Sequence, residues 1–154
     1  MPDVEAQREA MKELARLVGK WSGSARIVRP TGEIELIQTE EASYRLDGLL
    51  LTIEGIGRSA MDDSPVLWAL GIICYDDEAR VYRMRAFNDG RWLETEVTVA
   101  DDGRELRWGF AVQNIQTNSV LRIDHSGDWT ESHEIRIGTQ PAKKFMELKV
   151  SPRP

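Results

Sequence analysis

The spacing of hydrophobic and polar positions changes once along the chain, near residue 19. Upstream, Met11, Leu14, Ala15 and Val18 fall at i, i+3, i+4 and i+7, with Leu17 widening the stripe, which is the period of an amphipathic helix. Asp3 is placed to cap the first turn, where a carboxylate accepts from free N–H groups, and Gly19 to end the last one. Glu5 with Arg8, Glu9 with Lys12 and Glu13 with Arg16 keep the opposite face charged and wet as i, i+3 pairs. The spacing predicts one helix over about residues 3–18 that lies on something else.

From Lys20 the period is two. Trp21, Gly23, Ala25 and Ile27 alternate with Lys20, Ser22, Ser24 and Arg26, so one face of a strand is apolar and the other polar. Pro30-Thr31-Gly32, Asp47-Gly48, the loop Met61 to Pro65, Asp76 to Glu78, Asn88 to Gly90, Asp101 to Gly103, Gln113-Asn114, Ser126 to Asp128 and Gly138 to Ala142 then punctuate the chain with turn residues. Between them lie about ten strands and no helical stretch long enough for a parallel crossover. The run Val66 to Tyr75 is apolar at nearly every position, as in a strand covered on both faces. A meander of this length has exposed edges unless it closes, so the reading is all-β: an antiparallel up-and-down barrel over about residues 20–150 with one N-terminal α-helix. A two-sheet sandwich is the alternative.

A chain of 154 residues without repeats or linkers makes one domain, 1–154. The formal charge of -6 argues against a nucleic-acid partner, since that affinity comes largely from lysine and arginine displacing counterions. No apolar run reaches membrane-spanning length, and the charge-rich start from Asp3 to Arg16 does not read as a signal peptide, so a cytoplasmic location is expected. Cys74 stands alone in an apolar run and reads as a buried, inert thiol. A homodimer is expected, through an open edge between the last and first strands or through Val66 to Tyr75.

The helix running into Leu17-Val18-Gly19-Lys20-Trp21-Ser22-Gly23, the charged strand with Glu40, the regular DG and DDG turns and the late strand opening at Trp129 together resemble the lipocalin-like (calycin) β-barrels. Among these the chain is most similar to bacterial domains of unknown function with a Leu-x-Gly-x-Trp-x-Gly start. The resemblance implies that Gly19, Trp21 and Gly23 form the barrel closure, with the tryptophan at the base beside a short helix. It also implies an interior able to take a small apolar molecule, and no activity. Haem-binding nitrobindin-like barrels carry a third glycine where this chain has Ala25, which turns the reading away from haem.

Four polar residues fall on faces otherwise inward: Gln38 and Glu40 on the second strand, Glu131 and His133 on the ninth. A carboxylate inside a barrel is costly unless it is paired, so these groups must meet one another, an arginine, water or a ligand. The competing reading is a bulge that turns them outward. Trp108 and Phe110, on a cleanly alternating strand, are expected to wall a cavity, the remaining tryptophans to fill the core. The expected function is binding of a small lipophilic or amphipathic ligand with Gln38, Glu40, Trp108, Phe110, Glu131 and His133 around it. Alternatives are an enzyme using Glu40 with His133, and a haem barrel with His133 as axial ligand. No catalytic motif, cofactor or metal site is expected, and His125 and His133 on one strand would lie roughly 26 Å apart, too far to share an ion.

Overall fold

The computed structural model describes residues 1–154. It contains α1 (Val4–Met11), a 3-10 segment (Lys12–Leu17) and ten strands: β1 (Gly19–Arg29), β2 (Gly32–Arg45), β3 (Leu50–Ser59), β4 (Pro65–Asp76), β5 (Val81–Asn88), β6 (Arg91–Ala100), β7 (Glu105–Val112), β8 (Ile115–Ile123), β9 (Trp129–Ile137) and β10 (Lys143–Pro152). Each strand pairs antiparallel with its sequence neighbours, and β10 returns to β1 to close the barrel. No helix is long and apolar enough to cross a membrane.

The barrel has a sealed end and an open one. Turns at Leu46–Leu49, Asp77–Arg80, Asp101–Arg104 and Asp124–Asp128 gather at the end where the helix lies. Asp3 caps α1 by accepting from the Ala6 N–H at 3.0 Å. The expected helix changes character at Lys12, where the tighter 3-10 winding stacks residues spaced by three on one side. Met11, Leu14 and Leu17 therefore form the fully buried stripe, while Val18 is extended and 43% exposed rather than part of it. Burying each of those three side chains contributes about 1.5–3 kcal/mol. The expected Glu13–Arg16 pair does not form, because each residue meets a barrel partner instead: Arg16 meets Asp102 at 3.0 Å, and Glu13 lies 2.8 Å from the Tyr82 hydroxyl.

Polar straps hold this plug. The Trp21 indole donates to the Leu17 carbonyl at 2.9 Å, and the Tyr44 and Tyr82 hydroxyls donate to the carbonyls of Met11 and Ala10 at 2.6 and 2.7 Å. Arg8 and Gln7 reach the turns at Asp47 and Asp77. Gly103, at φ +80°, lets its turn press on the Glu13 carbonyl, where an added Cβ would lie 2.0 Å away. Trp21 packs edge-on against Trp129, 5.3 Å between ring centres, above the plug.

Closure is made by β1 against β10, with Trp21 opposite Pro152 through Ile27 opposite Met146. An open edge between last and first strands, one expected route to a dimer, is therefore absent. Gly23 sits in this seam because the β10 backbone crosses directly over it, and a Cβ there would meet the Lys149 carbonyl oxygen at 2.1 Å. The outer face of β4 is also not covered: Trp68 is 56% exposed, and Phe87 and Trp92 beside it on the outer wall are each 48% exposed. Trp68 and Trp92 thus lie outside the core that was expected to hold them. Cys74, on the same outer face, is only half-buried, and burial pushes its thiol pKa up. Two substitutions test the plug and the seam. Leu14→Ala should cost about 2–5 kcal/mol by leaving a cavity under the barrel, and Gly23→Ala about 1–3 kcal/mol or more by forcing β10 off β1, both read as shifts in urea unfolding.

Candidate functional site

Inward positions become more accessible from the plug towards the far end. Along β7, Leu106 is fully buried while Trp108 and Phe110 are half-buried; along β9, Trp129 is fully buried and Ile135 half-buried. Ile27, Ile34, Ala86 and Leu93 are half-buried at the same height. Interior side chains that still meet solvent mean that the barrel is open at the end away from the helix. The wall is parted there too. β6 and β7 pair only from Thr98 to Ala100 against Arg107 to Glu105, whereas β7 and β8 pair along their whole length. Above the parting the Thr95 hydroxyl reaches across to the Gly109 carbonyl at 2.8 Å.

The structure brings the four expected polar residues inside. Unbulged pairing carries the alternation through β2, setting Glu40 opposite Trp21 and Gly55, and Gln38 opposite Gly23 and Gly57. Both glycines leave room for these side chains in their present positions: an added Cβ at Gly55 would lie 2.7 Å from the Glu40 carboxylate, and one at Gly57 2.8 Å from Gln38 Oε1. Gln38 Nε2 donates to Glu40 Oε1 at 2.9 Å, while Gln38 Oε1 is buried with no hydrogen-bond partner.

On β9 a longer chain of bonds forms. Trp129 Nε1 donates to Glu131 Oε2 at 2.8 Å, His133 Nε2 lies 2.9 Å from Glu131 Oε1, and the Ser119 hydroxyl lies 2.6 Å from His133 Nδ1. A neutral ring satisfies both contacts if Nε2–H donates to Glu131 and Nδ1 accepts from Ser119. The imidazole stands between Trp108 and Phe145, 6.0 and 5.9 Å from their ring centres. His133 is thus joined to Glu131 and not to Glu40, so the expected Glu40–His133 pair is not assembled. His125 lies exposed in the β8–β9 turn.

Ser119 was absent from the sequence reading. A small hydroxyl on an inward position carries no signal by itself, and only the register that sets Ser119 opposite His133 reveals it. Gly19, at φ +137°, turns the chain from the plug into β1, and with Trp21 and Gly23 it lies at the base and seam. A depression of about 440 Å³ lies where β1, β10, β9 and β8 adjoin, lined mainly by outward residues such as Arg26, Glu35, Arg122 and Lys149 but also by Ala25, Leu148 and Glu131.

Glu40 is the electrostatic outlier. Burial, helped by the charge of Glu131, holds its pKa well above the ordinary carboxylate range, and the Gln38 N–H opposes this only in part. No family model and no curated protein matches the chain. Among solved structures it is similar to Rv2717c from M. tuberculosis, with TM-score 0.74 and 16% identity over 94% of this chain and 98% of that one. It is also similar to an S-type phycobiliprotein lyase, CPES, from Guillardia theta, with TM-score 0.64 and 12% identity over 94% and 92% of the two chains. The shared architecture is the antiparallel barrel, consistent with a calycin-like fold.

A pH prediction follows from Glu40. The unfolded chain loses this proton near the ordinary 4.5, while the folded chain holds it to higher pH. The folded state therefore binds more protons, and stability falls as pH rises from the ordinary range through the folded pKa. Glu40→Gln keeps an oxygen for Gln38 and removes the charge. It should match the wild type near about pH 4 and exceed it at about pH 8 in denaturant unfolding.

Proposed function

We propose that the barrel binds a small lipophilic or amphipathic molecule, admitted at the end opposite the plug. The observation that carries this reading is the gradient of exposure along the inner wall, from a fully buried Leu106 to the half-buried Trp108 and Phe110. Apolar walls around a few fixed polar groups are the usual make-up of a small-molecule site. In this reading Trp108 and Phe110 hold the apolar body, and Gln38, Glu40, Glu131 and His133 meet its polar end. The parting between β6 and β7 beside Trp108 gives the wall room to yield as the molecule passes. The similarity of the barrel to that of a phycobiliprotein lyase fits this reading loosely.

A second reading draws on the Ser119–His133–Glu131 chain, whose contacts of 2.6 and 2.9 Å have the order of an activated nucleophile, its base and an orienting carboxylate. An alkyl fluorophosphonate that labels Ser119 in the wild type and not in His133→Ala would favour it. Haem ligation has less support, because His133 would have to give up one of its two ring bonds to face a metal.

Binding is tested by titrating the protein with the uncharged dye Nile red. We expect saturable fluorescence enhancement with quenching of tryptophan emission, and at least about a tenfold loss of affinity in Phe110→Arg, which puts an unpaired charge at the mouth. Binding that is unchanged in Phe110→Arg would move the site to the outer wall.

A further inference from the structure

Donors and acceptors in the interior do not balance. The Trp129 indole N–H is taken by Glu131, the Trp21 indole N–H by the Leu17 carbonyl, and the Gln38 amide by Glu40. His133 spends its ring nitrogens on Glu131 and Ser119. What is left over is acceptor. Gln38 Oε1 is buried without a partner, and Glu40 Oε2 receives no hydrogen bond from the protein.

Charge is unbalanced in the same direction. Glu40 and Glu131 both face inward, and neither forms an ion pair with a lysine or arginine; Glu131 has His133 alone. The cationic residues in inward register, Arg29, Arg91 and Lys143, are exposed at the far ends of their strands, on the rim of the mouth. A fatty acid would bring a third carboxylate to this interior with no cation to receive it. A protonated amine would supply the missing donors and the missing charge together.

Resting on the ligand-binding reading above, we infer that the preferred ligand is a cationic amphiphile, a primary or secondary ammonium on an apolar body. Its head group donates to Gln38 Oε1 and the Glu40 carboxylate, and its apolar part extends past His133 to Trp108 and Phe110. Burial favours the protonated form of Glu40 and a neighbouring ammonium favours its carboxylate, so binding is expected to release a proton to solvent. The acidic net charge of the chain favours approach of a cation over that of an anion.

The test uses the full-length protein and three probes that differ only in their heads: octylamine, octanol and octanoate. Isothermal titration at near-neutral pH should rank octylamine first, by about tenfold over octanol, with octanoate weakest. Repeating the octylamine titration in buffers of different ionisation enthalpy should reveal proton release. In Glu40→Gln, whose folding is checked by thermal unfolding, the amine should lose most of its advantage over the alcohol and the proton release should vanish. Octanoate binding as tightly as octylamine, or an amine advantage unchanged in Glu40→Gln, overturns the assignment while leaving a ligand-binding barrel intact. Failure of all three probes together with Nile red overturns the binding reading itself.

Discussion

Everything about this barrel depends on one end being sealed. A closed sheet satisfies its own backbone but leaves two open ends, and here a single N-terminal segment is wound tightly enough to fill one of them. The 3-10 turn matters because it continues α1 so that Met11, Leu14 and Leu17 stack into one stripe inside the barrel, and the carbonyls of Ala10, Met11 and Leu17 along this segment are reached by Tyr82, Tyr44 and Trp21 from three different strands. With water excluded at that end, interior side chains run from dry at Trp129 to wet at Ile135. The polar cluster sits between those limits. It is deep enough to shift the titration of Glu40, and Glu131 and His133 keep 10% and 15% of their side-chain surface in contact with solvent.

That position explains why the cluster is expensive. Two carboxylates share an interior with no lysine or arginine, and the barrel makes room for them with glycines at 55 and 57 where larger residues would have filled the space. Replacing buried polar groups with apolar ones of similar shape is often neutral or stabilising. A fold maintained only for stability would have little use for Gln38 with an idle oxygen beside Glu40. The arrangement makes physical sense when a donor-bearing molecule completes it.

Much of this was legible in the sequence because a period of two survives intact wherever pairing is unbulged. Gln38 and Glu40 could be placed on the inner face from β2 alone, and Glu131 and His133 from β9 alone. Which of them touch could not be read, since contacts across the barrel depend on the stagger of ten strands. His133 consequently found Glu131 and Ser119 rather than Glu40. The helix stripe was ambiguous for a different reason: Met11, Leu14 and Leu17 fit a period of three as well as one of 3.6, and only packing against the strands decides between them. Trp68 and Trp92 were misjudged because an apolar residue carries no mark of which face of a strand is covered, and the bulge between Lys144 and Met146 left no trace in composition.

The most direct measurement is a crystal structure of the protein with octylamine. The account predicts the nitrogen within about 2.7–3.2 Å of Gln38 Oε1 and the Glu40 carboxylate, with the alkyl chain directed past His133 towards Trp108 and Phe110. An amine bound head-outward at the rim, or seated on the outer wall at Trp68 and Trp92, would contradict it.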